Sequence, residues 1–164
     1  GVAHQPVGHV EVVDVLLHTD GAFYDRLMVN AGGSAERPYF QPAMYEDGRT
    51  VPIVQGREVF RLAVTLMPEV VLELLKRNGL GLDDVALTTF HQANLRINEA
   101  VQKRLGLPDE RVFNNIQRYG NTTAATIPIA LHEAIGQGRV KRGDLLCFVG
   151  LGSGLNWGAV LYRY

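Results

Sequence analysis

A group of hydrogen-bonding side chains follows directly on an apolar segment near the middle of the chain. Residues 85–90, VALTTF, are followed by HQANLRI, which places a histidine, two amides and an arginine within six positions. Because imidazole, amide and guanidinium groups all donate hydrogen bonds, His91, Asn94 and Arg96 could point together at a ligand. The same composition is typical of a strand that leaves the core, and the residues alone leave both interpretations open.

Two further segments contain residue types that suit chemistry. Residues 150–154, GLGSG, form a glycine-rich turn, which allows a close approach of the backbone to a ligand but is equally typical of a loose hairpin. Cys147 is the only cysteine and lies within the apolar segment LLCFV. Because no basic residue or helix N-terminus adjoins it, nothing in the sequence lowers the pKa of its thiol. We predict a buried, inert thiol rather than a nucleophile.

The composition argues against several classes of protein. The 164 residues are 46% hydrophobic and 20% charged, as in a globular domain, and a net charge of -1 gives no general attraction to nucleic acid or to an anionic membrane. No apolar run approaches the roughly eighteen residues that cross a bilayer, and residues 1–10 lack the features of a signal peptide. A single cysteine fits a reducing compartment. We expect a cytoplasmic domain that binds no nucleic acid, membrane or metal.

The elements that must position these groups alternate between strands and helices. Asn121 is placed as the N-cap of the last helix, and residues 19–55 are irregular and long enough for a functional or covering loop. The strands are predicted over residues 10–18, 85–90, 144–150 and 159–164, and the helices over residues 58–77, 93–105 and 122–135. This order predicts an α/β layered domain. About four strands make a small sheet, which favours a chain that is half of a larger unit.

Five segments resemble, in the same order, the C-terminal half of a β-ketoacyl-acyl-carrier-protein synthase III. They are HQANLRI at 91–97, KRLGLP at 103–108, YGNTTAATIP at 119–128, RVKRGDLL at 139–146 and GLGSGLNWGAVL at 150–161. The resemblance implies a thiolase-like α/β fold with a mixed sheet packed against helices. It also implies a division into the last strand of a missing N-terminal half (1–20), an irregular covering loop (21–56) and a C-terminal thiolase-like domain (57–164).

The resemblance implies the condensation that starts fatty-acid synthesis. An acyl group moves from coenzyme A to a cysteine of the first half, and a malonyl thioester is then decarboxylated and joined to it. His91 and Asn121 match the two donors that stabilise the enolate, and the backbone N–H of Ser153 matches an oxyanion donor. No cofactor is implied, since the coenzyme A thioester is a substrate. Without the cysteine of the first half, the fragment is expected to be inactive.

Substrate contacts are implied for a second set of residues. Asn94 and Arg96 lie where the family meets the acidic carrier protein and the phosphates of coenzyme A, and Arg57 replaces a polar residue that commonly touches the pantetheine. Leu151 stands where the family commonly has phenylalanine, so we expect a wider acyl pocket. The implied partners are the acyl-carrier protein, acyl-CoA, the missing N-terminal half and, in the complete protein, a second identical subunit.

Two alternatives remain at this stage. The chain could be a non-catalytic module that binds a carrier protein or an acyl-CoA. It could also belong to a chalcone-synthase-like enzyme that makes polyketides, because an asparagine at position 121 fits both branches. The HQAN segment at residues 91–94 favours the type III synthase.

Overall fold

A computed structural model describes residues 10–34 and 36–164. It contains a five-stranded sheet and a separate two-stranded ribbon. In chain order, the strands are β1 Glu11–Thr19, β2 Leu27–Val29, β3 Pro52–Val54, β4 Leu87–Phe90, β5 Val112–Phe113, β6 Leu145–Gly152 and β7 Asn156–Arg163. The α-helices are α1 Ala43–Glu46, α2 Gly56–Arg77, α3 Leu95–Leu105, α4 Ile116–Tyr119 and α5 Thr126–Gly136.

The strand directions bring several chain segments to one edge of the large sheet. Its order is β1-β7-β6-β4-β5, and β7 is antiparallel to both of its neighbours. Because β4 is parallel to β5 and to β6, β1, β4, β5 and β6 all point the same way. Their carboxyl ends and the amino end of β7 therefore meet at one edge. In open α/β sheets, ligands bind at such carboxyl ends.

Helices cover both faces of the sheet. α2 and α3 pack on one face, where Leu74 and Val101 share a core cluster with Phe90 of β4. α5 packs on the other face through Ala130 and Ala134. β4 is buried along its whole length, Thr88 and Thr89 included, as expected for a strand between two helix layers.

The helix boundaries follow local signals in the sequence. α2 begins two residues before the predicted start and ends at the predicted stop, with Asn78 as its C-cap. The side chain of Asn94 caps α3 by accepting a hydrogen bond from the N–H of Arg96 at 3.0 Å. Gly106 ends α3 with a φ of 68°, a left-handed conformation that glycine adopts without strain.

The predicted role of Asn121 as the N-cap of the last helix is wrong. α5 begins only at Thr126, and a 3-10 turn over Thr123–Ala125 separates it from Asn121. The side-chain oxygen of Asn121 instead accepts a hydrogen bond from the N–H of Thr123 at 2.8 Å. Because Thr123 has a φ of 54°, the backbone turns at that residue and a helix cannot run through it.

The segment before α2 contains more regular structure than the sequence predicts. β2 and β3 pair antiparallel, with Met28 opposite Ile53. The N–H of Gln55 donates a hydrogen bond to the carbonyl of Arg26 at 2.9 Å, so the ribbon closes next to the start of α2. Strands of three residues are too short for an alternating pattern to indicate them.

β1 is an edge strand of the same five-stranded sheet. It pairs with β7 from Glu11 to Thr19, with one irregularity between Val12 and Asp14. The assignment of residues 1–20 to a preceding half stays a prediction, because pairing within one sheet does not by itself define a domain boundary. Residues 1–9 of that segment, and residue 35 of the predicted covering loop, lie outside the described residues.

Within residues 10–34 and 36–164, no helix combines the length and the apolar composition that crossing a membrane requires.

Candidate active site

His91 directly follows β4 at the edge where the strands end. Its N–H donates a hydrogen bond to the carbonyl of Val149 at 2.8 Å, which continues the pairing of β4 with β6 and fixes the backbone. Its Nδ1 lies 2.7 Å from the hydroxyl oxygen of Thr126. Burial lowers the pKa of the imidazole below its ordinary value, so the ring is neutral at pH 7.

Asn121 reaches the same region from the segment between α4 and α5. Because its Oδ1 accepts the N–H of Thr123, the carboxamide has a defined orientation, and its NH₂ group makes no hydrogen bond to another described residue. An amide held in this way presents a donor to any ligand beside it. The predicted pair, His91 and Asn121, lines two cavities in common.

The smaller cavity, about 340 Å³, lies between α2 and the sheet edge. Its apolar wall is formed mainly by α2 and by the ribbon. The residues are Leu27, Val54, Val59, Phe60, Ala63 and Met67. Asn94 and Leu151 also line it, as do His91 and Asn121. An apolar chamber with a few polar groups is the usual form of a small-molecule site.

The larger cavity, about 710 Å³, is an open groove beside the start of α5. Its wall is formed by β1, β6 and β7 together with the residues after Gly120, and Leu17, Phe148 and Val160 make it largely apolar. Leu151 lines both cavities, so the size of its side chain affects the volume of each of them.

The glycine-rich turn joins β6 to β7 at the same edge. Ser153 lines the larger cavity, and its hydroxyl donates a hydrogen bond to the carbonyl of Leu27 at 2.6 Å, which ties the turn to the ribbon. At Gly150 a Cβ atom would lie 3.4 Å from Cβ of His91, at the limit of ordinary van der Waals contact, so the backbone of β6 passes close to the histidine. The use of the Ser153 N–H as an oxyanion donor stays a prediction.

The predicted basic contacts lie outside the two cavities. Arg57 and Arg96 are exposed, and neither side chain makes a hydrogen bond or ion pair with another described residue. The guanidinium of Arg104, a further basic residue of α3, instead donates to the carbonyl of Val64 at 3.2 Å and lies 3.8 Å from Glu69. Arg104 thus connects α3 to α2, whereas Arg57 and Arg96 remain available to a partner.

A buried amide that sequence analysis did not single out connects the segments that carry His91 and Asn121. Gln92 is 1% exposed, and its Nε2 donates to the carbonyl of Phe90 at 2.7 Å. Its Oε1 accepts the N–H groups of Asn115 at 3.1 Å and Ile116 at 3.2 Å. The segment after β5 is therefore held against the end of β4. No local pattern indicates a contact between residues so far apart in the chain.

Sequence analysis also did not single out Glu133, whose carboxylate holds α4 in place. Glu133 of α5 accepts hydrogen bonds from the side chains of Asn115 at 3.0 Å, Arg118 at 2.8 Å and Tyr119 at 2.7 Å. Hydrogen bonds from Tyr119, Asn115 and Arg118 lower the pKa of this carboxyl group, so it is ionised at neutral pH. Glu133 fixes the segment that leads to Asn121.

Cys147 is not available as a nucleophile. It lies in the middle of β6 with no exposed surface, and burial raises the pKa of its thiol to about 12. The thiolate is the reactive form, so this position agrees with the prediction of an inert thiol. Within the described ranges, no group of three or more histidine, cysteine or acidic side chains is arranged to hold a metal ion.

Comparison with known proteins assigns the chain to a family. The family model described as 3-oxoacyl-[acyl-carrier-protein (ACP)] synthase III C terminal matches residues 75–164. The chain belongs to this synthase III family. Its resemblance to the C-terminal half of such synthases is thereby confirmed.

Curated synthase III relatives match nearly the whole chain. The β-ketoacyl-[acyl-carrier-protein] synthase III of Roseiflexus sp. (strain RS-1) is 43% identical over 160 residues, which cover 98% of this chain and 47% of that protein. The synthase III of Aquifex aeolicus (strain VF5) is 55% identical over 111 residues, which cover 68% of this chain and 36% of that protein. The chain thus spans about half the length, or less, of the curated relatives it matches.

Solved synthase III structures confirm the α/β thiolase-like fold. The crystal structure of the 3-oxoacyl-[acyl-carrier-protein] synthase III of Aquifex aeolicus VF5 superposes with a TM-score of 0.81 at 40% identity, over 98% of this chain and 46% of that one. The synthase III of Thermus thermophilus gives a TM-score of 0.81 at 36% identity, over 98% of this chain and 47% of that one. The mixed sheet packed between helices is the C-terminal half of that fold.

Proposed function

We propose that this chain is the C-terminal part of a β-ketoacyl-acyl-carrier-protein synthase III that acts in fatty-acid synthesis. The complete enzyme joins an acyl group delivered by coenzyme A to a malonyl group on the acyl-carrier protein. The observation that carries the proposal is the presence of His91 and Asn121, from different elements, on the walls of the same two cavities. Membership of the synthase III family supports the class of reaction.

The two side chains act on the decarboxylation step. Breaking the bond to the carboxylate releases carbon dioxide and leaves its electron pair as an enolate, whose charge rests on the thioester oxygen. Hydrogen bonds from the imidazole of His91 and the carboxamide of Asn121 stabilise that oxygen as the charge develops. In a site shielded from water, one such donor contributes about 3 to 4 kcal/mol.

The enolate carbon then attacks the thioester carbonyl of an acyl-enzyme. The tetrahedral oxyanion that forms accepts a hydrogen bond from the backbone N–H of Ser153, which lines the larger cavity. It then collapses to the ketone of the β-ketoacyl product as the carbon–sulfur bond to the enzyme breaks and the cysteine thiolate leaves. The cysteine that carries the acyl group lies outside these 164 residues, because the thiol of Cys147, their only cysteine, is buried and has a raised pKa. These residues alone have no condensing activity.

The surroundings of His91 and Asn121 suit both the apolar and the charged parts of the substrates. The apolar smaller cavity accepts the acyl chain or the pantetheine arm, and Asn94 offers a polar group beside it. The free guanidinium groups of Arg96 and Arg57 suit the acidic carrier protein and the phosphates of coenzyme A. In the complete protein, which we place in the cytoplasm, two identical subunits associate. No cofactor takes part in the reaction.

Reconstitution tests the proposal. The N-terminal half of the Aquifex aeolicus synthase III is fused before this chain, and malonyl-acyl-carrier-protein decarboxylation and self-acylation are measured separately. The fused enzyme should be active and the chain alone inactive. Because each removes one donor, H91A and N121A should each lower decarboxylation by about 10² to 10³-fold while self-acylation persists.

The matched control is H132A, since His132 is an exposed histidine on α5 outside both cavities. Decarboxylation that is unaffected by H91A and N121A would refute the proposed roles. Retained binding of the carrier protein by a folded but inactive fusion would instead favour a non-catalytic binding module. Polyketide products would favour a chalcone-synthase-like enzyme.

A further inference from the structure

Ser153 lies in the turn between β6 and β7, and its two hydrogen-bond donors have different surroundings. The backbone N–H makes no hydrogen bond to another described residue, although Ser153 lines the larger cavity. The hydroxyl donates to the carbonyl of Leu27 at 2.6 Å, its only acceptor among the described residues. Because a hydroxyl has one hydrogen and a carbonyl can only accept, the direction of this bond is defined. One donor of Ser153 is therefore used by the fold, and the other is available to a ligand.

The hydroxyl joins the turn to the wall of the smaller cavity. Leu27 begins β2 and pairs with Val54 of β3, and both residues line that cavity. Ser153 and Leu27 are 126 residues apart in the chain, so no local constraint keeps them together. Within the described ranges, this is the only hydrogen bond between the turn and the ribbon. The Ser153–Leu27 bond thus fixes the distance between the turn and the ribbon.

The residues after Ser153 are held separately. Leu155 exchanges two backbone hydrogen bonds with Asp20, at 2.9 and 3.1 Å. The side chain of Asn156 donates to the carbonyl of Ser153 and accepts the hydroxyl of Thr19 at 2.6 Å. These bonds attach the second part of the turn to the end of β1. They leave the N–H of Ser153, on the first part of the turn, to be fixed by other contacts.

The backbone on either side of Ser153 does little to fix that N–H. Gly152 precedes it and Gly154 follows it, and glycine adopts a wider range of backbone conformations than any other residue. A hydrogen bond that holds the side-chain oxygen leaves the nitrogen of the same residue little freedom, because only three covalent bonds separate the two atoms. A donor held in place before the reaction stabilises a developing charge without reorganisation.

We propose that the hydroxyl of Ser153 is a positioning group, whose hydrogen bond to the carbonyl of Leu27 directs the N–H of the same residue toward the oxyanion of acyl transfer. The catalytic consequence rests on the proposed function of the site, whereas the Ser153–Leu27 bond itself does not.

The steps of the proposed reaction depend differently on this donor. In self-acylation, the cysteine thiolate of the N-terminal half attacks the thioester carbonyl of acyl-CoA, and a tetrahedral oxyanion forms. The oxyanion collapses as the carbon–sulfur bond to coenzyme A breaks and its thiolate leaves. Decarboxylation of the malonyl group forms an enolate instead, which His91 and Asn121 stabilise. Loss of the Ser153 hydroxyl should therefore slow self-acylation and spare decarboxylation, the opposite of the effect of H91A or N121A.

Hydrogen exchange of the fused protein, followed by mass spectrometry, tests the Ser153–Leu27 bond. S153A should raise the exchange rate in residues 26–29 and 150–156 by about 3- to 10-fold, the effect of one lost hydrogen bond. S153T, which keeps the hydroxyl, should exchange like the unmodified protein. The matched control is S34A, since Ser34 is an exposed serine outside both cavities. Unchanged exchange in S153A, or an equal rise in S34A, overturns the inference.

The kinetic arm measures self-acylation with acyl-CoA alone and decarboxylation with malonyl-acyl-carrier-protein alone. S153A should lower the rate of self-acylation by about tenfold and change decarboxylation by less than about twofold. S153T should restore most of the self-acylation rate. Unchanged self-acylation in S153A, a parallel loss of decarboxylation, or equal losses in S153A and S153T overturns the positioning role. If the folded, unmodified fusion lacks both activities, the proposed function fails, and the exchange rates alone decide the Ser153–Leu27 bond.

Discussion

The side-chain oxygen of Gln92 accepts the backbone N–H of Asn115 at 3.1 Å and thereby holds the segment after β5 against the end of β4. The same oxygen accepts the N–H of Ile116 at 3.2 Å. His91 is the residue before Gln92, and Asn121 follows the short helix that begins at Ile116. The relative position of the two proposed donors therefore depends on this amide as well as on Glu133.

Replacement of Gln92 by leucine should destabilise the fold. Both backbone N–H groups lose their acceptor, and an unsatisfied buried donor costs about 1 to 3 kcal/mol. We expect Q92L to lower the free energy of unfolding by about 2 to 4 kcal/mol, measured by urea denaturation. Q117L is the control, because Gln117 is an exposed glutamine of α4 and such surface changes stay within about 0.5 kcal/mol. Equal losses of unfolding free energy in Q92L and Q117L would show that Gln92 does not hold the segment after β5 in place.

Asp14 should make stability depend on pH in the acidic range. Hydrogen bonds from Arg77 and Asn78, at the end of α2, lower the pKa of this carboxyl group from 3.8 to about 2. Since the folded state holds the proton less tightly than the unfolded state, the stabilisation is complete above pH 3.8 and is lost as the pH falls toward about 2. The difference in Tm between the unmodified protein and D14N should therefore be largest above about pH 4 and shrink toward pH 2.

Removal of the partner provides the control for Asp14. In an R77M background the carboxyl group loses its first donor, so the effect of D14N on Tm should be smaller at every pH above about 4. If the difference in Tm between the unmodified protein and D14N stays constant from pH 5 to pH 2, the ionisation of the Asp14 carboxyl group contributes nothing to stability.

Replacement of Leu151 by phenylalanine should narrow the range of acyl groups that the fused enzyme accepts. Leu151 lines both cavities. The phenylalanine side chain is larger than that of leucine and therefore removes volume from the smaller cavity. A change of about one methylene in such a pocket alters kcat/KM by about 10 to 200-fold. We expect L151F to lose at least tenfold in kcat/KM for the longest acyl-CoA accepted, with little change for acetyl-CoA.

The control for L151F is L72F, because Leu72 is an exposed leucine of α2 that lines neither cavity. Both variants are compared over a series of straight-chain acyl-CoAs. A uniform loss across the series would show that Leu151 does not limit chain length.

Sequence patterns predict the elements that bury one regular face. α2 shows its helical period because Ala63, Val70 and Leu74 return to the same core. β5 has only two residues, too few for a period, although it extends the sheet. The error at Asn121 has a local cause, since an asparagine that caps a short turn has the same sequence signature as one that caps a helix.

The predicted site residues separate into those that line a cavity and the exposed Arg57 and Arg96, which line neither cavity. His91, Asn121, Asn94 and Leu151 line the smaller cavity, because strand ends and helix starts deliver them to one edge of the sheet. The supporting residues Gln92, Thr126 and Glu133 were not predicted, since each acts through a contact with a residue distant in the chain. Such contacts follow from the packing of β4, β5 and α5, which local sequence does not encode.

The reversed direction of β7 makes the Gly152–Asn156 turn unlike any other loop at this edge. β6 finishes there and β7 starts there, so one short connection sets the register of two central neighbours. A lengthened loop after β4 would move a single strand end, whereas an insertion in this turn would displace both. Variation in substrate range should therefore accumulate by exchange of side chains in this turn, and changes in loop length should be confined to the other connections.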